Sequence, residues 1–156
     1  MARACAASFA RLGTDHLDLY LLHWRDRITD LSGVVAGFEK LRSARKIRAW
    51  GVSNFKVRDM EDLFHVPQGD RCATNQVHYN LGDRSIETAL LPWCEQHGVP
   101  VMAYSPLGGP GANLLRDPTL QRICTTWLLG SCCCAGPGPS AAAMSLQFPN
   151  LVPWSM

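Results

Sequence analysis

Much that would place this 156-residue chain in a specialised class is missing from it. No apolar run approaches the roughly 20 residues that cross a bilayer. The opening stretch, Met1 to Leu12, carries Arg3 and Arg11 around too weak an apolar centre for a signal peptide, so the expected location is the cytoplasm. Charge is scarce, at 18% of residues with a net charge of +2, and the basic residues are dispersed. Arg42, Arg45, Lys46 and Arg48 come closest to a patch, and they read as a solvated helix C-terminus. Neither nucleic acid nor a membrane surface is therefore an expected partner. Of seven cysteines none forms a C-x-x-C pair: Cys5, Cys72, Cys94 and Cys124 stand alone, while Cys132, Cys133 and Cys134 are adjacent. That spacing fits no zinc site, so no metal is expected, nor is a disulfide framework. Both G-x-G-x-x-G and the Walker phosphate loop are absent, which removes the Rossmann fingerprint.

What is present is an ordinary hydrophobic content of 47%, in a chain long enough for one sizeable core. From residue 14 to about 107 two textures alternate. Leu17 to Leu22 is a short, mostly apolar run, as a strand buried on both faces should be. Leu31, Val34, Val35, Phe38 and Leu41 then recur at helical spacing, with Thr29 or Asp30 as N-cap. Ala49 to Val52 reads as the next strand, and Val57, Met60, Leu63 and Phe64 as its helix. A third strand is expected over Cys72–Val77, with a helix carrying Ile86, Leu90 and Trp93 that stops at Gly98. The fourth strand is expected over Val99–Tyr104. Ahead of these, Cys5, Phe9 and Leu12 mark a short buried helix face ended by Gly13. The fold class is α/β, with about four consecutive βα units.

Each expected strand is apolar through its body and closes on polar groups: His23, then Ser53-Asn54, then Asn75-Gln76, then Tyr104-Ser105. In a parallel βα array these ends share one side, the side where such folds keep their active sites. With no nucleotide fingerprint, a barrel is favoured over a doubly wound sheet. Four units make half of a (β/α)8 barrel, which typically needs about 250 residues.

The order Arg11-Leu-Gly-Thr-Asp-His-Leu-Asp-Leu-Tyr-Leu-Leu-His23-Trp24, Arg45-Lys-Ile-Arg48, Trp50-Gly-Val-Ser-Asn-Phe55, Asn75-Gln-Val77, Leu91-Pro-Trp-Cys94 and Val101-Met-Ala-Tyr-Ser-Pro-Leu-Gly108 resembles the aldo-keto reductase family. The likeness is greatest to its bacterial branch, in which Arg follows His-Trp as Arg25 does here. It runs over roughly residues 5 to 123 and implies a partial (β/α)8 TIM barrel. It also implies NADPH-dependent reduction of aldehydes and ketones, with a small carbonyl compound as substrate.

By the resemblance, His23 is the active-site histidine that polarises or orients the substrate carbonyl, and Trp24 walls the substrate pocket. An imidazole N–H suits a carbonyl oxygen on which negative charge develops. Ser53, Asn54 and Gln76 match the family's trio for the nicotinamide carboxamide, a ligand that needs both donors and acceptors. Tyr104 matches the residue that stacks on the nicotinamide ring, and Ser105 and Leu107 match contacts to the cofactor pyrophosphate. The residues alone allow plainer readings: a strand-end histidine, a turn at Ser53-Asn54, a buried aromatic at Tyr104, and a flexible connection at Gly108–Gly111. Asp18 and Tyr20 are expected to be structural, and Glu39, Glu61, Asp62 and Glu87 to face solvent from helices.

The family's catalytic set is Asp, Tyr, Lys and His. The first three are expected on strands ahead of the His-bearing one, so here only His23 matches. After Ile123 the family pattern is replaced by a low-complexity run through Cys132–Cys134 and Gly136-Pro-Gly-Pro139. Residues 1–123 therefore read as a partial reductase barrel, and 124–156 as a tail, either disordered or the product of a changed reading frame. Two functional readings follow: a carbonyl reductase, or a truncated, catalytically dead member that acts as a cofactor-binding or interaction module. Unpaired edges at residues 17–22 and 99–104 point to self-association.

Overall fold

The computed structural model describes residues 1–26, 28–108 and 114–126. Residues 109–113 and 127–156, which include three adjacent cysteines and most of the stretch expected to be a tail, lie outside the described residues. The elements alternate as the sequence texture predicts: α1 (Ala2–Leu12), β1 (Leu17–Leu22), α2 (Leu31–Ser43), β2 (Ile47–Ser53), α3 (Val57–Phe64), β3 (Asn75–His78), α4 (Leu90–Gln96), β4 (Val101–Tyr104) and α5 (Pro118–Thr126). The four strands form one parallel sheet in sequence order, β1-β2-β3-β4. Parallel neighbours need a crossover between them, and α2 and α4 lie in the first and last of these connections, with α3 in the middle one.

The core forms where α2 covers the sheet. Asp30 caps α2 by accepting the Ser32 N–H at 2.9 Å, and Leu31, Val35 and Phe38 are buried. Trp50 of β2 stacks on Phe38 at 5.0 Å between centroids and 4° between planes. Tyr20 of β1 meets the same ring edge-on at 6.0 Å. Trp50 pairs with Tyr20 in the ladder, so both point to the helix-covered face. Each fully buried side chain of this size contributes about 2–3 kcal/mol.

The structure corrects several expectations. Glu39 does not face solvent: it is buried, and its carboxylate accepts from Trp50 Nε1 at 2.7 Å and from Arg71 at 2.8 Å and Arg42 at 3.0 Å. A charge here is tolerable because three donors replace its water. Asp62 does face solvent as expected, and from there it binds Arg25, which also binds Asp59, each at 2.7 Å. Glu87 is half-buried and pairs with Arg84 at 2.8 Å. β1 is not buried on both faces: Asp18 is exposed and pairs with Arg48 at 2.9 Å, because β1 is an outer strand of the described sheet. Leu12 is 66% exposed, although Gly13 ends α1 at φ 66° as expected.

β3 starts at Asn75, later than expected, so Asn75 and Gln76 open the strand and His78 ends it. Its helix is also divided, with a 3-10 turn at Ser85–Thr88 before α4. Pro92 explains the break: its ring would clash with the carbonyl of Thr88 in a continuous helix, but it is tolerated in a first turn. Among the described residues no helix is long and apolar enough to cross a membrane.

Candidate functional site

Alternation along the strands decides which side chains share a face. Trp50 and Tyr20 turn toward α2, so Gly51 and Ser53 turn away from it. Parallel partners project to the same side, which adds Gln76 and Met102 beside Ser53, and His78 beside Tyr104. The helix-free face therefore gathers Ser53, Gln76, His78, Met102 and Tyr104. His23 and Trp24 follow directly on the end of β1.

A small hydrogen-bond net fastens these ends together. The Gln76 carbonyl accepts from the Asn54 backbone N–H at 2.8 Å and from the Ser53 hydroxyl at 2.8 Å. The Asn54 side-chain amide donates to Ser53 Oγ at 3.0 Å and to the His23 carbonyl at 3.1 Å. Three strands are thereby joined through one residue. Asn54 manages this in the left-handed region, at φ 62°, which Asn accepts more readily than most residues. Behind the net, Asn75 is fully buried and clasps the turn after β2, donating to the Phe55 carbonyl at 2.9 Å and accepting its N–H at 3.4 Å.

The predicted residues differ in what they leave available. Ser53 is buried with its hydroxyl already bonded, whereas Gln76 Nε2 meets a weak acceptor, the Met102 sulfur, at 3.1 Å. His23 is exposed, with its ring edge-on to Trp24 at 6.0 Å, and Trp24 is 48% exposed. Tyr104 is half-buried, its ring 5.3 Å from that of His78. Ser105 turns left-handed at φ 53°, and its carbonyl accepts the Gly108 N–H at 2.9 Å, closing a tight turn around Leu107. Leu107 itself is exposed. In level, Ser53, Gln76 and Met102 are register partners, while Tyr104 stands two residues further along, beside His78.

Sequence reasoning passed over a cluster next to Tyr104. Asp83 bonds to His78 Nδ1 at 3.0 Å, and hydrogen bonds from Ser85 and from His78 bring its carboxyl down to about 2. Asn80 lies between them, 7% exposed. The run Asn80-Leu-Gly-Asp83 carried a turn signal that could have marked the place. A separate groove of about 420 Å³ lies on the outer helices α3 and α4, lined by Phe64, Trp93 and His97 among others. Its Trp93 and His97 rings stack at 3.9 Å, and none of the strand-end residues lines it.

The model of the aldo/keto reductase family matches residues 1–121. Methylglyoxal reductase YeaE of Escherichia coli K12 is 56% identical over 123 residues, covering 77% of this chain and 43% of that protein. The NADH-specific methylglyoxal reductase of the same organism is 36% identical over 105 residues, covering 65% and 31%. An aldo/keto reductase from Klebsiella pneumoniae, crystallised with NADP and acetate, superposes with a TM-score of 0.76 at 48% identity, over 81% of this chain and 45% of that one. The chain thus spans less than half the length of these relatives, and its four parallel strands correspond to part of a (β/α)8 barrel. It belongs to the aldo/keto reductase family.

Proposed function

We propose that this chain supplies the nicotinamide-binding wall of an NADPH-dependent carbonyl reductase that converts small aldehydes or ketones to alcohols. The observation that carries the reading is the joined set at the strand ends: His23, Ser53, Asn54 and Gln76 in one hydrogen-bond net, with Tyr104 on the same face. The names of the relatives support a small aldehyde such as methylglyoxal as substrate.

The residues present fit a carboxamide. Among the described residues Gln76 Nε2 is held by a thioether alone, so it is easily drawn to a better acceptor. The side-chain oxygens of Asn54 and Gln76 are suited to accept from an amide NH2. Ser53 belongs to the set by orienting both neighbours through its hydroxyl. Tyr104 would offer its ring face, and Ser105 and Leu107 the turn beside the pyrophosphate. When bound, the nicotinamide would supply the hydride. His23 would donate a hydrogen bond to the carbonyl oxygen as it gains charge, with Trp24 beside it shedding water from the substrate.

The test is NADPH oxidation by the chain with methylglyoxal, alongside NADPH fluorescence titration. Turnover that falls on the order of 10²–10³-fold in His23→Ala is the expected result. Binding without turnover would support the second reading, a cofactor-binding member without catalysis. No binding would overturn both. A cytoplasmic setting is part of the proposal, supported by the free, buried thiols of Cys5, Cys72 and Cys94. So is self-association through β1 and β4, the outer strands of the described sheet, which sedimentation would read as a dimer.

A further inference from the structure

We propose that Asn80 and His78 form a strut that positions Tyr104 and Ser105, so that the platform for the nicotinamide ring is set by two residues that need not touch the cofactor. The inference rests on the nicotinamide reading above for its functional meaning, but its geometry stands apart from that reading.

Asn80 fills the full hydrogen-bonding capacity of a side-chain amide. Its Oδ1 accepts the backbone N–H groups of Gly82 at 2.8 Å and Asp83 at 3.0 Å. Two fixed donors leave no choice of amide orientation, so Nδ2 must face the other way. There it donates to the Ser105 carbonyl at 3.2 Å and lies 3.4 Å from His78 Nε2. The side chain is 7% exposed, so these partners replace water rather than compete with it.

The histidine has a matching polarity. Its Nδ1 faces the Asp83 carboxylate at 3.0 Å and must donate, while Nε2 faces an amide N–H and must accept. Only the neutral ring with its proton on Nδ1 satisfies both. That ring lies 5.3 Å from Tyr104 at 52°, and the two residues are register partners at the ends of β3 and β4. One contact thus fixes the tilt of Tyr104. The other holds the carbonyl of Ser105, whose left-handed φ of 53° has an intrinsic cost that a fixed partner offsets.

The decisive variant is Asn80→Asp. It keeps an oxygen for Gly82 and Asp83 but replaces the donor to Ser105 and His78 by an acceptor. In the ligand-free chain the ring signals of Tyr104, assigned with Tyr104→Phe, should shift in the nuclear magnetic resonance spectrum, together with the Ser105 amide. NADPH binding should weaken on the order of tenfold. Glu39→Gln, a destabilised control on the helix-covered face, should bind NADPH like the parent. His78→Phe serves as a second variant: it keeps a ring against Tyr104 but loses both nitrogens, and should move the same signals. Unchanged Tyr104 and Ser105 signals in both variants would overturn the strut. So would NADPH affinity that falls equally in Glu39→Gln. If the parent chain binds no NADPH, the nicotinamide reading fails on its own, and the resonance shifts still decide the positioning.

Discussion

Replacing Glu39 tests how a buried carboxylate is held on the helix-covered face. Glu39 is 8% exposed and Trp50, its partner at 2.7 Å, is fully buried. In Glu39→Ala the indole N–H loses its acceptor with no route to water, which costs about 1–3 kcal/mol. The two arginines matter less: Arg42 and Arg71 are 39% and 46% exposed and stay hydrated, so each adds about 0–1 kcal/mol. The expected loss is about 2–3 kcal/mol for Glu39→Ala, and about 1 kcal/mol for Glu39→Gln, which retains a carbonyl for the indole. Acid adds a second reading. Burial pushes the Glu39 carboxyl up, but hydrogen bonds from Trp50, Arg71 and Arg42 outweigh it and hold the group below its ordinary 4.5. The folded value is thus lower than the unfolded one. The contribution is complete above the unfolded value and disappears as pH falls through the folded one. Urea unfolding followed by circular dichroism, near neutral pH and again in that acid window, should show Glu39→Gln losing less on acidification than the parent. Equal losses for the alanine and glutamine variants would refute the claim that the indole N–H carries most of the cost.

Asn54→Gly and Asn54→Ala both lose the bond to the His23 carbonyl, but only alanine must be forced into φ 62°. The alanine variant should be less stable by about 1 kcal/mol in urea unfolding; equal midpoints would show that the backbone there relaxes. Burial pushes the thiols of Cys72 and Cys94 up to about 12 and about 11. Both should resist iodoacetamide in the native chain and react on unfolding, as mass spectrometry would record; rapid native labelling of either would contradict the packing.

The order of elements was legible because apolar runs and helical spacing are properties of neighbours along the chain. Leu31, Val35 and Phe38 announce α2 by their spacing, and Gly13 announces its turn by lacking a Cβ. What escaped depended on partners far away in sequence. Glu39 looks like any helix-surface acid until Trp50 and Arg71 arrive, 11 and 32 residues later. The start of β3 was misplaced for a related reason: Cys72 to Thr74 are extended and bond to β2, with Ala73 N–H on the Trp50 carbonyl at 2.8 Å, yet the ladder begins only at Asn75. At the candidate site the motifs brought His23, Ser53, Asn54 and Gln76 together. Around them, Asn75 stood in the sequence as a polar strand-end residue and Asn80 at the head of a turn, but neither pattern tells that Asn75 clasps Phe55 or that Asn80 reaches Ser105, backbone groups 20 and 25 residues away.

The same strands separate the apolar core from the candidate site by face, and Gly51 shows where the division is made. On one side Trp50 and Val52 are covered by helices and supply apolar burial. On the other, Gly51 lies two residues before Ser53, in the layer beneath the hydrogen-bond net. A Cβ there would come within 2.5 Å of the Thr74 carbonyl and 2.9 Å of Leu21 Cδ2. The layer is therefore already closed by neighbours, and the residue that permits this closure is the one without a side chain. A closed layer gives Ser53 a rigid base, so its hydroxyl can hold Gln76 and Asn54 in fixed positions rather than follow a mobile strand. Gly51 thus acts on the site through packing, even though it offers no group that a ligand could recognise.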